Sequence, residues 1–167
     1  MTTAGLVRLC AVCAIAVGSA SARAQEQTAY LAFSAGAFDL FREEHRATQF
    51  GVQYRTAQQV WILQPMIGAN VTDDDSAYVY VGVSLDLSIG ERLVLRPSFA
   101  PGYYHKGEGK DLEGALQFRT GVELAYRFDG GYRLGVELSH RSNAGLHDRN
   151  PGEESLMAFF HVPFPGP

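Results

Sequence analysis

His140 and Ser142 stand two residues apart at the end of an alternating stretch, Tyr132-Arg133-Leu134-Gly135-Val136-Glu137-Leu138-Ser139, and Glu154 follows 12 residues after Ser142. Successive side chains of a β-strand point to opposite faces. The alternation that puts Tyr132, Leu134, Val136 and Leu138 on one face therefore puts His140 and Ser142 there too. If 154–164 forms the antiparallel neighbouring strand, Glu154 shares that face with Leu156, Ala158, Phe160, Val162 and Phe164. An imidazole, a hydroxyl and a carboxylate on one patch have the chemistry of an activated serine. The imidazole takes the hydroxyl proton, and the carboxylate fixes its tautomer and stabilises the imidazolium. The plainer alternative is that His140 and Ser142 are interfacial polar residues and Glu154 a loop cap.

The elements that must position these residues are strands. Eight candidates fall at 30–40, 46–55, 59–71, 77–89, 92–104, 114–128, 131–141 and 154–164. In the sixth, Leu116, Phe118, Val122, Leu124, Tyr126 and Phe128 share one face, while Gln117, Arg119, Glu123 and Arg127 share the other. Polar faces recur as Gln49, Gln53 and Arg55, and as Ser84, Asp86 and Ser88, with Gly51, Gly82, Gly121 and Gly135 on the same faces. Parity alone does not say which face is inside. A soluble barrel hides its apolar face and a membrane barrel its polar one. Small residues and complementary charges suit a narrow eight-stranded lumen, and Tyr126, Phe128, Tyr132 and Phe164 near strand ends suit an aromatic girdle. The expected fold is all-β, an eight-stranded antiparallel transmembrane β-barrel.

Links also alternate in length. Those at 56–58, 90–91 and 129–131 are short, whereas 42–45, 72–75, 105–113 and 143–153 are longer and polar. Short periplasmic turns opposite long extracellular loops are the pattern of outer-membrane barrels. It places His140 and Ser142 near the outer leaflet.

Residues 1–24 read as a cleaved signal peptide, with Arg8, an apolar 9–17 and the small-x-small Ala22-Arg23-Ala24. Residues 25–167 then form a single outer-membrane β-barrel domain. Cys10 and Cys13 fall in the removed part, leaving neither a disulfide nor a thiol nucleophile. Without Arg8 and Arg23 the chain has 12 basic and 18 acidic residues, a formal charge of −6. No basic face suggests nucleic acid, and beyond residue 24 no apolar run is long enough for a spanning helix.

His140-Arg141-Ser142-Asn143-Ala144-Gly145-Leu146, followed by Asn150-Pro151-Gly152 and Glu154-Ser155, resembles the lipid A 3-O-deacylase (PagL) family of outer-membrane barrel esterases. The resemblance implies an integral outer-membrane enzyme that hydrolyses the 3-position acyl ester of lipid A and releases a 3-hydroxy fatty acid. It implies Ser142 as nucleophile, His140 as base and Glu154 as its orienter. Asn143 and the Gly145 N–H would stabilise the oxyanion, Asn150 would shape the loop, and no metal or organic cofactor would be needed. The implied partner is lipid A, or lipopolysaccharide, in the outer leaflet; a homodimer is left open. Two other readings stand beside it: a catalytically inactive structural or adhesive outer-membrane barrel, and a soluble lipocalin-like exported binding barrel. A lipid-facing site would take its substrate laterally, with Val136, Leu138, Leu156 and Ala158 as an apolar track.

Weaker candidates are His105, His147 and His161, which lack a metal-ligand spacing. The acidic run Asp73-Asp74-Asp75 and the Glu43-Glu44-His45 loop read as solvated. Arg119, Glu123 and Arg127 read as lumen charges that satisfy one another.

Overall fold

The computed structural model describes residues 28–165, so the expected signal peptide, 1–24, lies outside the described residues. The strands are β1 (Thr28–Phe38), β2 (Ala47–Arg55), β3 (Gln64–Thr72), β4 (Ala77–Ser84), β5 (Leu87–Ile89), β6 (Leu93–His105), β7 (Leu116–Arg127), β8 (Arg133–Ser142) and β9 (Glu153–Pro165). β4 and β5 both pair with β6 in one register and make a single stave. Neighbours are antiparallel, and β1 pairs with both β2 and β9. The result is a closed eight-stranded barrel with no free edge.

Burial decides the question that parity leaves open. Arg55, Arg96, Arg119, Arg133 and Arg141 are each 2% exposed or less, whereas Val122, Leu124, Val136 and Phe160 lie open on the outer wall. This inversion of a soluble protein overturns the lipocalin-like alternative. Lipid offers no hydrogen-bond partner to guanidinium or carboxylate, so the charges turn inward and find each other. Arg96 reaches Asp86 at 2.6 Å and Glu123 at 2.7 Å, His161 reaches Glu123 at 2.7 Å, and Arg119 pairs with Glu137. Arg119, Glu123 and Arg127 thus do not satisfy one another: Arg119 and Glu123 find partners on other staves, and Arg127 Nε and Nη2 have none among the described residues. Ser88, expected inside, is exposed near the end of its stave. Gly121 and Gly135 make room for this packing: a Cβ on Gly135 would collide with the Glu123 carboxylate. Towards the long-loop end Phe38, Met66, Tyr78, Tyr80, Tyr104 and Leu112 pack together. The lumen is therefore filled by side chains.

Two boundaries differ from the sequence pattern. The stave expected at 77–89 breaks at Leu85-Asp86. The Leu85 N–H donates to the Pro97 carbonyl at 3.1 Å, so Pro97 also turns its nitrogen towards Leu85, and proline has no hydrogen to return. Pro101, four residues on, leaves the same gap opposite Val81, where the β4–β6 ladder lapses. The link expected at 56–58 runs from 56 to 63, because Val60 and Leu63 bridge around Trp61, held at φ +61°. The longer loops, 39–46, 106–115 and 143–152, sit at the opposite end from the 90–92 and 128–132 turns.

Placing arginine at Val122, mid-strand on the outer wall and 50% exposed, is expected to destabilise the barrel by about 2–4 kcal/mol in denaturant unfolding from bilayers. Unchanged stability would contradict the assigned inside and outside.

Candidate active site

Alternation along β8 continues to its end. Ser139 and Arg141 are buried, His140 is exposed and Ser142 half-buried. β9 opens with Glu153 buried and Glu154 half-buried. The β8–β9 register sets His140 opposite Glu154 and Arg141 opposite Glu153. On the outer wall His140 Nδ1 lies 3.1 Å from Glu154 Oε1. A carboxylate at Nδ1 favours the tautomer with the proton on that nitrogen, leaving Nε2 as the basic atom. On the lumen side Arg141 approaches Glu153 at 3.4 Å and lies over the Tyr78 ring at 4.2 Å. Ser155 donates to Glu153 at 2.8 Å.

Ser142 is two residues beyond His140 on the same face, opposite Phe118 of β7. Among the described residues no hydrogen bond engages its hydroxyl, which is free to turn towards the imidazole or an incoming carbonyl. Such contacts commonly close only when substrate is bound.

The residues after Ser142 fold into a tight turn. The Leu146 N–H donates to the Asn143 carbonyl at 3.1 Å, with Ala144 at φ +54° and Gly145 at φ +77°. Asn143 points inward and is fully buried. Its Nδ2 donates to the carbonyls of Leu112 (3.2 Å), Glu113 (3.1 Å) and Arg149 (2.8 Å), and its Oδ1 accepts the Gly145 N–H at 2.9 Å. The two donors expected at the oxyanion are thus committed within the loops, and to one another. Asn150 accepts the Asn143 N–H through Oδ1 at 3.1 Å and closes the loop.

Sequence reasoning missed Gly152. It sits at φ +57°, and a Cβ built on it would lie 2.9 Å from His140 Cε1, so its bare backbone packs against the imidazole. Pro151-Gly152 shortly before a strand is a turn signal, but nothing local announces that ring contact. The buried Arg141–Glu153 pair was equally hidden, since it depends on register.

The weaker candidates stay apart from this site. His161 is buried in the lumen against Glu123, and His147 packs on Gly114. Asp73 accepts the Thr48 N–H at 3.0 Å and so ties its turn to β2, and Asp74 accepts the Ser76 hydroxyl at 2.9 Å within the turn. Glu43–His45 forms a short exposed 3-10 turn. Among the described residues no group of three His, Cys, Asp or Glu is placed to hold a metal.

Comparison with known proteins bears on this geometry. No curated protein matches the chain. Among solved structures, the crystal structure of the outer membrane enzyme PagL superposes with a TM-score of 0.63 at 17% identity, over 81% of this chain and 99% of that one. A designed transmembrane β-barrel superposes with a TM-score of 0.57 at 12% identity, over 84% and 98%. At such identities these likenesses speak for the fold, that of an outer-membrane barrel. The family model of lipid A 3-O-deacylase (PagL) matches residues 37–163, from the end of β1 to the end of β9. The chain belongs to the lipid A 3-O-deacylase (PagL) family.

Proposed function

We propose that this barrel is an outer-membrane ester hydrolase that removes the 3-position acyl chain of lipid A through Ser142, His140 and Glu154. The observation that carries the reading is the His140–Glu154 contact on the lipid-facing wall, two residues from an uncommitted serine hydroxyl in a chain of this family. An imidazole exposed to lipid gains nothing for the fold, whereas oriented by a carboxylate it is a general base.

In the proposed sequence His140 Nε2 takes the Ser142 proton as Oγ attacks the ester carbonyl, and Glu154 stabilises the imidazolium. The tetrahedral intermediate collapses as His140 returns the proton to the sugar oxygen, which leaves as the free 3-hydroxyl. Water, deprotonated by the same imidazole, then cleaves the acyl-serine and releases the 3-hydroxy fatty acid. Neither step draws on a metal or organic cofactor. Asn143, Gly145 and Asn150 we assign to holding the turn beside the nucleophile, since direct donation by Asn143 Nδ2 would give up three carbonyl acceptors.

The filled lumen favours lateral entry from the outer leaflet. Two apolar surfaces of the outer wall could take an acyl chain. One is the row of Leu138, Leu156, Val136 and Ala158 across β8 and β9. The other is an open groove of about 520 Å³ between Tyr54, Ile67, Val81, Val83, Phe99 and Pro101. It connects to Ser142 through Phe118, whose ring stacks on Phe99 at 6.2 Å and which pairs with both Ser142 and Pro101. We place the acyl chain in the groove, because the wall is recessed there.

Ser142→Ala and His140→Ala should each abolish acyl release from lipid A, read by mass spectrometry, in barrels that still migrate as folded; Glu154→Ala should be less damaging. Full activity of Ser142→Ala would overturn the nucleophile assignment. Asn143→Ala and Asn150→Ala should both lower turnover, the former by about 10²-fold, the scale of a catalytic group displaced by about 1 Å. A loss confined to Asn143→Ala, with Asn150→Ala unaffected, would instead make Asn143 a direct donor. Val81→Trp should impair long-chain esters while sparing short ones, and Ala158→Trp should do neither; the reverse pattern would move the chain to the β8–β9 row.

A further inference from the structure

The loop after β1 is tied to the start of β9 beside the candidate site. The Leu40 N–H donates to the Glu154 carbonyl at 2.7 Å. Arg42 Nη1 donates to the carbonyls of Pro151 at 3.2 Å and Gly152 at 3.1 Å, more than a hundred residues away in sequence. Behind it, fully buried Asp39 takes Arg42 at 3.5 Å and Lys110, from the 106–115 loop, at 2.8 Å. Asp39 thus links Arg42 to the 106–115 loop, Arg42 links the loop after β1 to the Pro151-Gly152 backbone, and Gly152 in turn rests against His140 Cε1.

We propose that Arg42 is a positioning residue for the ester hydrolysis. By holding two consecutive carbonyls it keeps Gly152 pressed on the imidazole, and so keeps Nδ1 on Glu154 and the basic Nε2 in a fixed place on the outer wall. The catalytic meaning of this contact rests on the function proposed above; the contact itself does not. The half-exposed Arg42–Asp39 pair would by itself contribute little. The paired contact is different, because one cationic nitrogen, Nη1, donates to two consecutive carbonyls and so fixes direction as well as distance. If Gly152 retreats, the ring loses the backbone that packs against its Cε1 edge. A misplacement of about 1 Å in a catalytic group costs on the order of 10²-fold.

The test uses the full barrel with Arg42→Ala and Arg42→Lys, checked for folding by heat-modifiable migration. Ring ¹⁵N signals of His140 are recorded with lumen-buried His161 as internal control. Turnover is measured on lipid A and on an uncharged short-chain nitrophenyl ester. Arg42→Ala should move the His140 signals and leave those of His161 in place. It should lower kcat by about 10–100-fold on both substrates with little change in KM, and Arg42→Lys should recover most of the loss. Should Arg42→Ala fail to fold, Arg42→Gln, which keeps an amide donor, carries the same comparison. Unmoved His140 signals in a folded variant would overturn the proposal. So would a loss confined to KM for phosphorylated lipid A, which would make Arg42 a headgroup contact. His140 signals that move in a protein whose wild type cleaves neither ester would support the contact and overturn the ester-hydrolase reading.

Discussion

The register between β8 and β9 is the constraint on which this site depends. It is pinned twice, on opposite sides of one wall. Inside, Arg141 meets Glu153 beneath the Tyr78 ring; outside, His140 meets Glu154. A slip of one residue would turn every side chain of a strand to the other face. It would bury His140 and Glu154 in the lumen and expose an arginine and a glutamate to lipid. Because lipid penalises that exposure heavily, the buried pair enforces the alignment that the exposed pair needs. The exposed contact contributes little to stability, and the lumen supplies the precision.

The same division of labour runs through the barrel. Charged side chains are spent on filling the interior, where they satisfy one another and close the lumen to a substrate the size of a glycolipid. The outer wall is left smooth and apolar except at one rim, where two strands and their loop bring three polar groups to the surface. The loops above do not form a separate lid in this structure. They brace the ends of β8 and β9, through Asn143 on the carbonyls of two loops and through the loop after β1 on Gly152.

How much of this is legible in the sequence follows from what each feature depends on. Alternation in Arg133–Ser142 and Glu153–Pro165 is local, and with antiparallel pairing of these neighbours it suffices to place His140, Ser142 and Glu154 on one face. Which face meets lipid is not local: parity is silent, and only the mutual burial of arginines and carboxylates decides. The break at Leu85-Asp86 is illegible in its own stave because its cause, Pro97, lies on the neighbour. Ion-pair partners were misread for the same reason, since Arg119 meets Glu137 by register rather than by sequence proximity. The inward turn of Asn143 lies just past the end of β8, where alternation no longer applies, and it is visible only in the contacts of the folded loops. Arg42 needed the whole fold, because its contacts with Pro151 and Gly152 span more than a hundred residues, and Gly152 needed the path of the 143–152 loop back to His140.

The central claim is that the outer wall carries a serine activated by its neighbouring imidazole. Treating the folded barrel with a fluorophosphonate and mapping the adduct by tandem mass spectrometry tests it most directly. The account predicts one modified residue, Ser142, and loss of that modification when His140 is removed. Acyl release by a barrel whose Ser142 stays unmodified, or equal labelling without His140, would contradict it.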